Sequence, residues 1–410
     1  MPEPMSPAEP DAVHDSVPAA APAVLAVRLD SMGDVLLTGP ALRALRAGAR
    51  RVDLLVSPGG AEAANLLPAV DHVLVYDAPW CGSNPPPLTA PTLLALIERL
   101  RANRYDQAVI FTSYHQSPLP MALAARLAGI PRISATSDDY PGSLLDVRHR
   151  RRHDGGDDDG VGGPHEVQAA LALAAAAGFE SSPGDDGRLQ VRGDRTPAFP
   201  DGREVGGDRA PYVVLHPGSS APSRGIGPTL GAACADALVA AGWHVVVTGG
   251  PDEIELARDV TPQGSRCLAG SLSLAQLAGV IAGAAAVVVG NTGPAHLAAA
   301  VGTPVVCLFT PVVPVARWGP WGVRHIVLGD QDAPCAGSRV RDCSRDPQPC
   351  LAGVRPGQVA AAVNLLAGRP GRAVHDDPSS VAVDHLQWTP DVREELACPP
   401  AHRTRAVVPS

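Results

Sequence analysis

Short runs of β-branched residues and leucine alternate along this chain with Ala/Leu-rich stretches of helical spacing. The first half predicts strands at Ala23–Arg28, Val52–Ser57, Val73–Tyr76, Gln107–Thr112 and Arg132–Ala135. Helices are expected between and after them at Gly33–Arg46, Ala61–Leu67, Thr92–Asn103, Pro120–Leu127 and Glu166–Ala177. The strands are continuously apolar rather than alternating, as in a parallel sheet covered on both faces. From Gly178 to Ala210 the composition shifts to Gly, Pro, Asp and Arg, which reads as a linker. The alternation then resumes. Strands are expected at Tyr212–His216, His244–Gly249, Ala286–Gly290 and Val305–Phe309. Helices follow at Leu230–Ala241, Glu253–Val260, Leu274–Ala282, Pro294–Val301 and Pro356–Ala367. The expected organisation is an N-terminal extension over 1–22 and α/β domains over 23–177 and 211–367, joined by a linker over 178–210. A flexible tail over 368–410, poor in periodicity and rich in Pro, Asp and Arg, completes it.

Composition narrows the picture. Net charge is −9 and every basic residue other than histidine is arginine, so an anionic nucleic-acid partner is not expected. The first residues carry Glu3, Glu9, Asp11 and Asp15 without a basic residue, unlike a signal peptide. The apolar run Leu277–Gly290 is too short to span a bilayer. Without an export signal the eight cysteines read as thiols. Cys335, Cys343 and Cys350 lack a CxxC knuckle and a neighbouring histidine, so no metal site is expected there. Aromatic residues make up only 3%, which leaves the cores to Ala, Val and Leu.

Four strand-to-helix turns carry the candidate chemistry, because open α/β sheets bind ligands at the carboxyl ends of their strands. The first is Arg28-Leu29-Asp30-Ser31-Met32-Gly33-Asp34. It lacks the GxGxxG fingerprint and instead places two carboxylates and a hydroxyl at the mouth of a cleft. A carboxylate there suits proton abstraction from an attacking hydroxyl. Ser31-x-x-Asp34 also fits a capping box, and by spacing alone the cap outweighs the catalyst.

The second turn, His216-Pro217-Gly218-Ser219-Ser220-Ala221-Pro222-Ser223-Arg224, reads either as a polar surface loop or as an anion cradle with Arg224 on a diphosphate. In the third, Gly249-Gly250-Pro251-Asp252-Glu253-Ile254-Glu255, the acidic residues either complement a helix start or receive ribose hydroxyls. The fourth is Gly290-Asn291-Thr292-Gly293-Pro294-Ala295-His296. With Pro294 as the first helical residue, free N–H groups around Thr292 and Gly293 would face an anion. His296 falls in that helix's first turn, where a lone histidine is more often structural. The basic run Arg148–His153 reads as a solvated loop, with an anionic acceptor or a membrane surface as its alternatives. The Asp154–Asp159 run that follows lacks the ligand spacing of a calcium loop.

In this order and spacing, the motifs resemble glycosyltransferase family 9, the ADP-heptose:lipopolysaccharide heptosyltransferases and their relatives. The segments carrying the resemblance are Val27–Val35, His216–Ser219, Thr248–Pro251 and Asn291–Leu297, with Phe111–Pro118 and Asp139–Ser143 as further family-like stretches. It extends from about Val24 to Leu366. The resemblance implies a GT-B fold, two Rossmann-like doubly wound domains facing across a cleft, the first binding the acceptor and the second the nucleotide-sugar donor. It implies an inverting, metal-independent transfer without a cofactor, with Asp34 as general base. On the donor side it implies His216, Gly218, Ser219, Arg224, Gly250, Glu253, Asn291, Thr292, Gly293, Pro294 and His296. On the acceptor side it implies Ser31, Gly33, His115 and Gln116. ADP-heptose is the donor so implied. The acceptor would be a glycan, lipid-linked or small-molecule hydroxyl, and the enzyme a cytoplasmic monomer with a peripheral contact at the inner face of the cell membrane. A sugar-nucleotide epimerase and a non-catalytic nucleotide-sugar-binding protein share the architecture and are the alternatives. Two positions depart from the pattern: Asn291 stands where many relatives have Asp, and Gly225-Ile226-Gly227 replaces an aromatic-Pro pair after Arg224.

Overall fold

The computed structural model describes residues 21–151, 163–193, 199, 210–343, 345 and 348–369. The first sheet contains β1 (Ala23–Arg28), β2 (Arg51–Val56), β3 (His72–Val75), β4 (Gln107–Phe111), β5 (Arg132–Thr136) and β6 (Val147–His149) in the order β3-β2-β1-β4-β5-β6. The second contains β7 (Tyr212–His216), β8 (His244–Val247), β9 (Arg266–Cys267), β10 (Ala286–Gly290), β11 (Val305–Leu308) and β12 (His325–Leu328) in the order β12-β11-β10-β7-β8-β9. Every pairing is parallel. Counted from its own first strand, each sheet has the same doubly wound order. The chain reverses direction between β1 and β4 in one half and between β7 and β10 in the other. Crevices open at those reversals, and the four sequence turns lie at or beside them.

The first half carries α1 (Met32–Leu37), α2 (Gly39–Gly48), α3 (Ala61–Leu66), α4 (Ala90–Ala102), α5 (Leu119–Leu127) and α6 (Glu166–Ala176). The second carries α7 (Pro228–Ala240), α8 (Ile254–Asp259), α9 (Leu274–Ala282), α10 (Gly293–Val301), α11 (Val315–Trp318) and α12 (Pro356–Leu366). The single helix expected over Gly33–Arg46 is two. Pro40 has no N–H to continue the ladder, and Thr38 ends α1 and precedes α2. The short edge strands β6, β9 and β12 and the single-turn helix α11 were not visible as patterns, since two to four residues set no period.

The two halves are fastened together rather than merely adjacent. One cluster of buried apolar side chains runs from the first sheet through α1 to α10, α9 and the second sheet. Glu62 of α3 accepts a hydrogen bond from the Leu274 N–H at the start of α9, at 3.1 Å. The described part of the expected linker, residues 178–193, is held on the first half. Phe179, Leu189 and Val191 are buried, Arg43 pairs with Asp185 at 2.7 Å, and Arg192 donates to the carbonyls of Leu67 and Val70. The extension expected over 1–22, apart from residues 21 and 22, lies outside the described residues. So do the Asp154–Asp159 run and the tail beyond residue 369.

Gly290 ends β10 where the Arg224 backbone carbonyl crosses directly over its Cα, leaving no room for a Cβ. Gly290→Ala should therefore displace the Ser219–Arg224 loop and cost about 1–3 kcal/mol, as overpacking does. Chemical unfolding would read this as a lower midpoint at unchanged slope.

Candidate active site

The carboxyl end of β1 is organised by its last residue. Arg28 is 2% exposed. Its Nε lies 2.7 Å from Asp30 Oδ2, and one terminal nitrogen lies 3.1 Å from Asp34 Oδ1 and 3.6 Å from Glu166 Oε2. The same nitrogen donates to Ser113 Oγ at 2.9 Å. Burial opposes its charge, but the three carboxylates outweigh burial and hold the guanidinium protonated more firmly than usual. Glu166, the first residue of α6, accepts from Arg151 at 2.9 Å, and Arg151 also donates to the Thr112 carbonyl at 2.7 Å. The basic run expected as a solvated loop is thus partly structural. Val147–His149 forms β6, Arg151 is buried, and Arg148 donates to the carbonyls of Ser137 and Asp138. Fixing the carbonyls at the ends of β4 and β5 is what draws these guanidinium groups inward.

Asp34 projects from the first turn of α1. Its Oδ2 accepts from Ser31 Oγ at 2.8 Å and from the Ser31 N–H at 3.4 Å, and its Oδ1 accepts from Trp318 Nε1 at 3.2 Å. Burial raises the proton affinity of this carboxyl. The Arg28 charge and the Ser31 and Trp318 hydrogen bonds reverse that, so its pKa falls below the ordinary value. The cap and the carboxylate site are one structure, and the main source of its ionisation is Arg28 rather than the helix terminus. Asp30 behaves oppositely. Burial pushes its carboxyl up to about 6, against Arg28 and a hydrogen bond from Gln116, with Asp34 adding to the rise.

The facing wall comes from the second half. His216 contacts Thr248 Oγ1 through Nδ1 at 3.0 Å and approaches Glu253 Oε2 through Nε2 at 3.5 Å. Glu253 accepts from the Gly250 N–H at 2.7 Å, which starts the Pro251–Glu253 turn. Its carboxylate rests on the Cα of Gly218, so Gly218 is required for this approach and sits behind the wall. Arg224 is half-buried, and its Nε has no hydrogen-bond partner among the described residues. Burial lowers its pKa, opposed by Asp34 and reinforced by Arg341. Asn291 is buried, accepts from the Thr310 N–H and hydroxyl, and donates to the Thr310 carbonyl. The Thr292 N–H, expected to face an anion, donates instead to the Gly290 carbonyl at 2.9 Å, because the turn closes on itself.

The two turns meet through glycines. A Cβ on Gly33 would stand 2.9 Å from His296 Cδ2, and one on Gly293 would overlap the Met32 side chain. His296 is buried and held neutral, its pKa pushed down to about 4 by burial and by Arg224 against Asp34.

Between these walls lies a cleft of about 480 Å³. It is lined on one side by Ser31, Gly33 and Asp34 and on the other by His216, Ser219, Arg224, Gly250 and Glu253. Asn291, Thr292, Gly293, Pro294 and His296 form its floor. His115 and Gln116 line a neighbouring polar cavity of about 260 Å³ with Ser113, Tyr114 and Arg151.

Sequence reasoning missed Arg28, Glu166, Arg317 and Trp318. Two of the chain's five tryptophans fall in Arg317-Trp318-Gly319-Pro320-Trp321-Gly322, an enrichment in an aromatic-poor chain that could have marked this segment. Glu166 gives no such signal, since an acidic residue opening a helix is ordinary.

The family model for glycosyltransferase family 9 (heptosyltransferase) matches residues 93–348. Lipopolysaccharide heptosyltransferase 1 of Pseudomonas aeruginosa is 30% identical over 334 residues, covering 79% of this chain and 88% of that protein. This chain belongs to glycosyltransferase family 9. The fold agrees. Escherichia coli ADP-heptose lipopolysaccharide heptosyltransferase II superposes with a TM-score of 0.63 at 20% identity, over 84% of this chain and 98% of that one. The family 9 enzyme of Veillonella parvula gives 0.65 at 18% identity, over 84% and 97%. The chain is therefore a glycosyltransferase of GT-B architecture, and its cleft lies where the two switch points face each other.

For this family 9 enzyme the Arg28 cluster sets a pH dependence. Asp30 takes up a proton as pH falls through about 6, which leaves the Arg28 charge less balanced beside Asp34. A carboxylate beside a stronger positive field is a weaker base. With Asp34 as the general base that the resemblance implies, the transfer rate at saturating substrate should fall between about pH 7 and pH 5. Asp30→Asn should be slower at neutral pH and should lack that limb. A wild-type profile that the substitution leaves unchanged would show that Asp30 does not set it.

Proposed function

We propose that this enzyme moves a heptose-type sugar, with inversion and without a metal, from an ADP-linked donor to a hydroxyl of a glycan, lipid-linked or small-molecule acceptor. The observation that carries the reading is the pairing of opposite charges across one cleft. Asp34, ionised and hydrogen-bonded, faces Arg224, a guanidinium whose Nε has no partner among the described residues. The acceptor hydroxyl attacks the anomeric carbon while Asp34 takes its proton. The bond to the nucleoside diphosphate breaks, and the departing charge is received by Arg224 and by the Gly293 N–H at the start of α10. Those groups supply the positive charge that a metal supplies in other transferases. ADP-heptose as donor is supported by the relatives, one of which is E. coli heptosyltransferase WaaC with ADP, alike in fold with a TM-score of 0.59. The polar cavity beside Ser113 is the natural seat of the acceptor. No helix among the described residues is long and apolar enough to cross a membrane.

Asp34→Asn should lower kcat by about 10²–10⁴-fold, the usual worth of a general base, with ADP affinity unchanged. Normal turnover by this variant would sink the assignment. Arg224→Ala should weaken ADP binding by about 10–100-fold, corresponding to one charge-assisted hydrogen bond of ~1.5–3 kcal/mol, as titration calorimetry would measure. In thermal-shift comparison of ADP, UDP, GDP and dTDP, ADP should stabilise the protein most. No shift with any of the four would contradict the donor reading. Product analysis should find the sugar on an acceptor rather than released or epimerised.

A further inference from the structure

We infer that Trp318 guards the base: its indole N–H holds the position on Asp34 that the acceptor hydroxyl must take, and it yields that position when the acceptor enters. The inference rests on Asp34 being the base.

A carboxylate offers about four lone-pair directions. On Asp34 four donors fill them. Arg28 and Trp318 reach Oδ1 at 3.1 and 3.2 Å, and the Ser31 hydroxyl and N–H reach Oδ2 at 2.8 and 3.4 Å. A general base must present a free lone pair to the proton it removes, so one donor has to leave. Arg28 is fixed by Asp30, Glu166 and Ser113, and withdrawing it would strip a buried guanidinium. The Ser31 donors belong to the same helix start as Asp34. Trp318 alone comes from the opposite half and, like Asp34, lines the cleft. Replacing its N–H by an acceptor O–H keeps the number of hydrogen bonds constant.

The surroundings couple this exchange to the acceptor cavity. Arg317, fully buried, lies with its guanidinium 4.4 Å from the Tyr114 ring centroid, so α11 has a fixed foot. Tyr114 lines the acceptor-side cavity, and its ring lies 5.7 Å from that of Trp318. A sugar filling that cavity presses on Tyr114 and, through it, on the indole. Without an acceptor, the same N–H excludes water from Asp34. Water activated there would attack the anomeric carbon, break its bond to the nucleoside diphosphate and give free sugar, its proton passing to Asp34.

Trp318→Phe keeps the ring beside Tyr114 and removes the donor. ADP release from ADP-heptose without acceptor should rise on the order of tenfold relative to the rate of transfer, as the loss of one such hydrogen bond implies. Trp318→His, which restores a ring N–H, should bring the hydrolysis back down. A ¹³C-carboxyl titration of Asp34, which needs no substrate, should move to higher pH in the Phe variant. Unchanged hydrolysis, or a fall in transfer that tracks lost thermal stability with an unmoved titration, would overturn the guard and leave a structural tryptophan. Asp34→Asn in the same assays separates the two ideas. If it transfers normally, the base assignment fails; if it is inactive while Trp318→Phe hydrolyses no faster than wild type, only the guard fails.

Discussion

The guanidinium of Arg28 lies buried at the end of β1 and faces Asp30, Asp34 and Glu166 together. Three carboxylates this close would not all ionise without it, and removing one partner of a buried ion pair typically costs about 3–5 kcal/mol. The planar fork of arginine suits the task, because Nε serves Asp30 while one terminal nitrogen serves Asp34, Glu166 and Ser113, whereas a lysine would present one point charge. Each partner extends the reach of the cluster. Asp34 carries it into the cleft, Glu166 carries it to α6 and Arg151, and Ser113 carries it to the loop after β4. The position of the Asp34 carboxylate is thus settled by the packing behind it.

The second constraint is the repetition of topology. Each half reverses at its own switch point, and the helices leaving those points, α1 and α10, touch through Gly33 and Gly293. Only glycine permits that approach without displacing His296 or Met32. The contact sets Asp34 of the first half and Arg224 of the second into one cleft. The Arg317–Gly322 segment crosses the same seam. Trp318 reaches Asp34, His165 contacts the Gly319 carbonyl and stacks on Trp321, and Trp321 donates to the Gly187 carbonyl.

Much of this was legible in the chain. Continuous Val/Leu runs such as Val24–Val27 and Val287–Val289 announce buried parallel strands because burial on both faces leaves no polar alternation. The four turns were legible because Gly, Pro and Ser are needed where backbone must approach a ligand. What was not legible is pairwise. Arg28 reads as a strand end, Glu166 as a helix start and Arg151 as part of a basic run, and nothing local says that the three meet. Nor could local reading show that Asn291 and the Thr292 N–H, both at the cleft, take Thr310 and Gly290 as their hydrogen-bond partners.

Asn291 shows why the departure from the more frequent aspartate is a consistent choice. Its carbonyl oxygen accepts from the Thr310 N–H and hydroxyl, and its amide nitrogen donates to the Thr310 carbonyl, which ties the end of β10 to the end of β11. An aspartate could make the first two bonds but not the third, so the Thr310 carbonyl would lose its donor in a buried position. It would also add a negative charge to the floor of the cleft that Arg224 lines. An amide fixes the same two strands and leaves the positive field of that wall undiminished. Asn291 thus serves as architecture, tying the end of β10 to the end of β11 at the floor of the cleft.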